Sequence, residues 1–133
     1  MALRGDVLVY DRYGKLIAVA AVKLEASMKD AERLRRELEQ NTGAPYILVV
    51  TRKKTYIWSP AGRVVTEPTA RFVDPYLKQI DRDVEQVTSA GLRAVVHIWL
   101  SDLAWALHDA AQPRQPDFVH AIAEGEVRFE TAA

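Results

Sequence analysis

The chain has 133 residues, of which 49% are hydrophobic, and this is enough for one core but too little for two comfortable domains. It contains no cysteine, so disulfides, thiolate zinc sites and cysteine nucleophiles are excluded. Its 18 basic and 18 acidic residues cancel, which removes net charge as an argument for nucleic-acid binding. We therefore predict a single domain over residues 1–133.

Charge is distributed unevenly along the chain. Residues 1–66 hold 12 basic and 7 acidic side chains, whereas residues 67–133 hold 6 and 11. A basic first half permits contact with phosphate groups, although ordinary fluctuation of solvated charge produces the same imbalance. No secretory signal and no apolar run of about 18 residues is present, which predicts a cytoplasmic protein without a membrane partner.

A β-hairpin is predicted at the beginning of the chain. Residues 6–10 are β-branched and aromatic, and the second strand, residues 15–23, is apolar almost without interruption from Leu16 to Val22. An uninterrupted apolar strand is typical of the centre of a sheet, where both faces are covered. The turn between the strands ends on Gly14, which tolerates the positive φ that a tight hairpin needs.

A helix and two further strands are predicted after the hairpin. Ser27 begins a capping sequence with Asp30, and apolar residues recur at helical spacing to about Gln40. Residues 46–51 and 55–58 predict the two strands. The strands on either side of the helix need a right-handed crossover if they are parallel in one sheet.

The second half of the chain is predicted to be mainly helical. Residues 63–73 show no clear period and indicate a short strand with a connection. Asp74 is expected to cap a helix that ends near residues 89–91, because apolar residues recur along it at helical spacing. Residues 117–124 predict a short helix, and residues 126–130 alternate like an edge strand.

The most apolar helix is predicted over residues 92–111. Residues 92–100 would also suit a strand, but the helical period continues past Ser101-Asp102. Apolar side chains surround this helix on nearly all sides, so it must be buried on more than one face, within the fold or against another copy of the chain. We therefore expect the 92–107 helix to bind a second copy of the chain or another protein.

The order of the first elements resembles a known nuclease core. Asp6 begins the first strand, Lys23 ends the second, and the capped helix and the strands at residues 46–51 and 55–58 follow. This order resembles the restriction-endonuclease-like superfamily, with its PD-(D/E)xK motif, over residues 5–60. The resemblance implies an α/β fold with a central mixed sheet flanked by helices.

The resemblance also implies a metal-dependent site, which this sequence fills incompletely. In that superfamily two acids bind magnesium, and the lysine orients or activates the attacking water. Asp6 and Lys23 match the first acid and the lysine, whereas Ala21 stands where the second acid belongs. Glu25 is the one acid that could replace it as a metal ligand, although an exposed acid before a helix is the simpler interpretation.

Basic and aromatic residues in the first half are candidates for contact with nucleic acid. The basic candidates are Lys23, Arg33, Arg36, Arg52, Lys53 and Lys54. Glutamates alternate with the arginines of the helix, so an ion-paired, solvated face explains those arginines equally well. Tyr56 and Trp58 could stack on bases beside the basic turn, but aromatic residues in a sheet more often belong to the core.

His97, Ser101 and His108 can share one face of the apolar helix, with Asp102 nearby. Residues along one helix do not converge on a nucleophile as a catalytic triad must. We therefore interpret these histidines as buried or interface residues. His120 stands apart from them.

Three functional hypotheses follow from the sequence. The first is a catalytically degenerate restriction-endonuclease-like protein that needs no cofactor and binds nucleic acid, another protein or a second copy of itself. The second is a magnesium-dependent DNA endonuclease that uses Asp6, Lys23 and Glu25. The third is a structural homo-oligomer that has no role in nucleic-acid binding and associates through the 92–107 helix.

Overall fold

A computed structural model describes residues 6–11, 13–80, 83–105 and 126–129. The strands are β1 (Val7–Tyr10), β2 (Leu16–Val22), β3 (Tyr46–Val50), β4 (Lys54–Trp58), β5 (Val64–Pro68) and β6 (Glu126–Phe129). The described helices are α1 (Met28–Thr42), α2 (Ala70–Lys78) and α3 (Ser89–Trp105), with a 3₁₀ turn at Val84–Gln86. The predicted α/β class is confirmed.

The strands form one mixed sheet in the order β5-β4-β3-β2-β1-β6. β2 and β3 are parallel and are joined through α1, and the other neighbouring strands are antiparallel. β2 therefore lies inside the sheet, and all its residues after Leu16 are buried. This position explains its uninterrupted apolar sequence and confirms the prediction of a central strand.

Two apolar layers cover the two faces of the sheet. On one face, Ala18, Ala20 and Val22 of β2 pack with residues of α2 and α3. On the other face, Val19 and Ala21 pack with residues of α1. From Ala18 to Val22, alternation along β2 therefore assigns successive residues to opposite helical layers.

α1 begins with the predicted capping sequence. The Ser27 hydroxyl accepts a hydrogen bond from the Asp30 main-chain N–H at 3.2 Å, and an Asp30 carboxylate oxygen accepts one from the Ser27 N–H at 3.3 Å. The hydrogen bonds from Ser27 lower the pKa of Asp30. The helix ends at Gly43, whose φ of 67° is left-handed and suits glycine.

The structure has a helix at Asp74, but the predicted bounds, from Asp74 to about residues 89–91, are wrong. α2 begins earlier, because Phe72 and Val73 donate their main-chain N–H groups to the Thr69 carbonyl, and it ends at Lys78. The apolar repeat suggested a longer helix, but Ile80 is 61% exposed and does not belong to a continuous buried face. The short strand expected in residues 63–73 is β5.

α3 confirms a helix in the predicted apolar segment and excludes the alternative strand at residues 92–100. Leu92, Val96 and Leu100 are fully buried, and α3 contacts β1, β2, β6 and α2 of the same chain. Ile98 is exposed. The prediction that this helix binds a partner stays a prediction.

β6 confirms the edge strand expected at residues 126–130. The short helix expected at residues 117–124 lies outside the described residues, as do His108 and His120. In the described part of the chain, none of the helices is long and apolar enough to span a membrane.

The Ser27 cap makes a measurable contribution to stability. Ser27→Ala leaves the Asp30 N–H without its side-chain acceptor, and we expect the free energy of unfolding to fall by about 1 kcal/mol. Urea denaturation followed by circular dichroism measures this change. Ser27→Thr keeps a hydroxyl at the same position and should retain most of the stability. Equal losses in the two variants would contradict a capping role.

Tyr76 joins α2 to α3 and should make folding sensitive to alkaline pH. Its hydroxyl donates to an Asp102 carboxylate oxygen at 2.7 Å. Burial, together with this hydrogen bond, raises the pKa of Tyr76. The folded state therefore keeps the phenol proton at a pH where the unfolded chain releases it, so the stabilisation is lost as the pH rises above about 10.

Urea denaturation of the wild type and Tyr76→Phe, from about pH 8 to about pH 11, tests this linkage. The stability difference between the two proteins should be largest at pH 8 and should shrink above pH 10. A difference that stays constant over the whole range would show that Tyr76 has no such role.

Candidate functional site

The strands β2 and β3 are parallel, so their carboxyl ends lie at the same end of the sheet. The Lys23 N–H donates to the Val50 carbonyl at 2.9 Å, which continues the pairing by one residue. The Thr51 N–H donates to the Lys54 carbonyl at 2.9 Å, so the chain reverses through only two residues, Arg52 and Lys53. We call the group Lys23, Arg52, Lys53 and Lys54 the basic end of the sheet.

Asp6 lies at the same end of the sheet and contacts β2. One of its carboxylate oxygens accepts a hydrogen bond from the Val22 N–H at 2.7 Å, and its own N–H donates to the Ala20 carbonyl at 2.8 Å. The carboxylate thus serves as an acceptor for β2 where β1 begins. Since Val22 precedes Lys23, the structure brings Asp6 and Lys23, the two residues that the expected motif matches, to neighbouring positions.

Ala21, at the position where the expected motif has its second acid, is a core residue. It is 0% exposed and packs with Val19, Val49 and residues of α1. A methyl group has no lone pair with which to bind a cation. The buried position also explains why a small apolar side chain suits it, because a carboxylate would lose its hydration there.

Glu25 is directed to a different partner. Its side chain is 86% exposed, and one carboxylate oxygen lies 3.6 Å from an Arg52 guanidinium nitrogen. Such an exposed pair contributes about 0–1 kcal/mol. Among the described residues, no three His, Cys, Asp or Glu side chains lie together so that they could hold a metal ion. The described side chains therefore do not provide the several oxygen ligands that magnesium prefers.

The basic end presents three exposed lysines to solvent. Lys23, Lys53 and Lys54 are exposed, and Arg52 is half-buried beside Glu25. By strand alternation, Lys23 follows Ala21 and Lys54 precedes Tyr56 on the face that α1 covers. The two lysines therefore flank Thr51 in one row across three strands.

Arg33 and Arg36 are placed on the exposed side of α1 and do not belong to the basic end. Arg33 lies 3.8 Å from an Asp30 carboxylate oxygen, which supports the interpretation of an ion-paired helix face. The neighbouring Arg35 pairs with Glu39 at 2.8 Å. The sequence alone did not separate these arginines from the basic residues of the sheet, because basic residues are similarly frequent in both segments.

Tyr56 and Trp58 belong to the core, so the alternative that they stack on bases is wrong. They are 5% and 4% exposed and lie beneath α1, with ring centroids 6.0 Å apart. The Arg35 guanidinium lies 6.0 Å from the Trp58 ring, a contact that sequence analysis missed. Its one sequence signal was the position of Arg35 beside the apolar stripe of α1.

Asp102 accepts the hydrogen bond from Tyr76 and so is engaged in the contact between α2 and α3. His97 is half-buried on α3. Neither observation points to a reaction centre.

The Asp6 contact predicts a structural rather than a metal-binding phenotype. Asp6→Ala leaves the Val22 N–H without this acceptor, and we expect the free energy of unfolding to fall by about 1–2 kcal/mol. Asp6→Asn keeps a side-chain oxygen that can accept the hydrogen bond, so its stability should lie within about 0.5 kcal/mol of wild type.

Urea denaturation of both variants, beside calorimetric titration of the wild type with magnesium, separates the two roles. A metal ligand would give saturable magnesium binding that both substitutions abolish. That result, with unchanged stability in Asp6→Ala, would contradict the structural role.

The candidate site thus has two parts, an acid engaged with the main chain of β2 and a set of exposed cations beside it. Comparisons with protein-family models, curated proteins and solved structures find no match for this chain. Its function is therefore argued from the chemistry of these side chains.

Proposed function

We propose that this chain is a catalytically degenerate restriction-endonuclease-like protein that binds nucleic acid through the basic end of the sheet. The proposal has two elements, a binding surface for phosphate groups and the lack of a metal-dependent cleavage centre. The observation that carries it is the row of exposed lysines on either side of Thr51, next to a motif position occupied by a buried alanine.

The topology of the first half supports the superfamily assignment. An antiparallel hairpin is followed by a helix and by a strand parallel to the second strand of the hairpin. Asp6 and Lys23, which match the motif, lie at one end of this arrangement. Fold alone does not determine activity, so the function is argued from the side chains at this end.

The acids at this end of the sheet argue against cleavage. Asp6 accepts a main-chain hydrogen bond, Ala21 is buried, and Glu25 pairs with Arg52. A single carboxylate with main-chain oxygens would hold magnesium weakly, because this cation demands nearly octahedral oxygen coordination. Hydrolysis of a phosphodiester through a metal-activated water is therefore not the favoured activity.

The cations at this end of the sheet suit a phosphate backbone. Two strand spacings separate Lys23 from Lys54, which places their Cα atoms about 10 Å apart. Lys53 projects from the turn between β3 and β4, so three ammonium groups share one end of the molecule. Phosphate contacts of this kind position nucleic acid without reading its sequence, so binding should show little sequence preference.

The binding test uses fluorescence anisotropy with a labelled duplex and a labelled single strand of random sequence, without divalent metal. We expect saturable binding whose affinity falls with added salt, because phosphate contacts release counterions. Removing Lys23, Lys53 and Lys54 together by substitution to alanine should weaken binding. The slope of log affinity against log salt should shrink by about 1 for each lysine that contacts a phosphate.

Lys15 and Lys78 provide the control, because both are exposed and neither belongs to the basic end. Alanine at these two positions should change the salt slope much less. No saturable binding at low salt, or equal weakening in the two sets of variants, would contradict the proposal. Plasmid cleavage that depends on magnesium and is lost in Asp6→Asn would support the endonuclease hypothesis instead.

A further inference from the structure

β5 forms one edge of the sheet, and the side chains along it are largely open to solvent. Val64 and Val65 are 38% and 52% exposed. Single apolar residues on a surface are common, but an exposed strand edge also carries unpaired main-chain donors and acceptors. Such an edge can be completed by a strand from another chain.

Hydrogen bonding to β4 determines which main-chain groups of β5 face outward. Arg63 lies just before β5 and Thr69 just after it. Each forms a main-chain hydrogen bond of 3.0 Å with a residue next to β4. In antiparallel pairing, the main-chain groups of successive residues point alternately to one neighbour and to the other, so those of the odd-numbered residues face β4. The N–H and C=O groups of Val64 and Thr66 therefore face the open edge. Pro68 also falls on the outward side, where its missing N–H removes no hydrogen bond to β4.

We propose that β5 pairs with β5 of a second copy of this chain, antiparallel, about a two-fold axis at Val65. In this register Val64 of each copy lies opposite Thr66 of the other, and their outward groups form four main-chain hydrogen bonds. Arg63 of each copy lies opposite Glu67 of the other. Two pairs of opposite charge therefore lie on either side of the axis.

The sequence of β5 favours this register over its neighbours. A shift toward the hairpin places Gly62, whose φ is 83° within the turn, in the ladder. A shift the other way places Pro68 opposite Val64, and each proline then lacks the N–H that the ladder needs. Only the register centred on Val65 pairs Arg63 with Glu67. In this register Gly62 and Pro68 both stay outside the ladder.

The acid of the charge pair is already held in place. An Arg71 guanidinium nitrogen lies 2.9 Å from one Glu67 carboxylate oxygen, and both side chains are about one-third exposed. Strand alternation puts Arg63, Val65 and Glu67 on one face of the sheet. Arg63 of the second copy would therefore meet a carboxylate whose orientation Arg71 restricts.

This interface does not depend on the proposed function and does not use α3. It lies at the edge of the sheet opposite β6, in the part of the chain that the structure describes. The predicted self-association through the 92–107 helix is thus a separate hypothesis, which variants of β5 distinguish.

Sedimentation velocity on the purified chain, from about 10 μM to about 500 μM, measures the dimer. We expect a reversible monomer–dimer equilibrium. Thr66→Pro removes an outward N–H from each copy but no hydrogen bond to β4, so it should give a monomer with unchanged circular dichroism. A wild-type monomer over this range, or a folded Thr66→Pro variant that still dimerises, would overturn the proposal.

Charge reversal tests the register and does not rely on proline. Arg63→Glu creates two like-charge pairs across the axis and should weaken dimerisation at least about tenfold. The double variant Arg63→Glu with Glu67→Arg restores opposite charges and should recover affinity to within about threefold of wild type. Arg36→Glu, on the exposed side of α1, is the control and should have no effect. An affinity of the double variant no higher than that of Arg63→Glu would refute this register.

Discussion

The structure depends on burying β2 on both of its faces. A strand with apolar side chains on both sides needs a helical layer on each, and here α1 supplies one while α2 and α3 supply the other. Polar groups are therefore confined to the ends of the strand. This constraint places Lys23, and with it the candidate binding surface, at the carboxyl end of β2.

The elements around β2 could be predicted because their signals are local. Ser27, Asp30 and Gly43 mark the ends of α1 in the sequence, and the apolar run of β2 identifies a covered strand. α2 could not be placed correctly, because its first turn depends on the Thr69 carbonyl and its apolar repeat continues past the end of the helix. The pairing of β6 with β1 joins distant parts of the chain and has no local signature.

The candidate site was predictable to a similar extent. Element order brought Asp6 and Lys23 to one end of the sheet, as the motif implies. The hydrogen bond from Val22 to Asp6 joins residues 16 positions apart and depends on the strand register, which the sequence does not display. Glu25 illustrates the same limit, because its pairing with Arg52 needs the turn that follows β3. Residue type suggested the chemistry, and tertiary contacts decided which groups were already engaged.

The burial of Ala21 also bears on how a chain of this fold can change during evolution. A fully buried alanine between a sheet and a helix leaves no water to solvate a carboxylate, so an acid introduced there would cost several kcal/mol. A domain of this size has a total stability of about 5–15 kcal/mol. At such a position, a change from an acid to alanine is therefore easier than a change from alanine to an acid. Introducing an acid at position 21 would therefore need compensating changes in α1 that lower this cost.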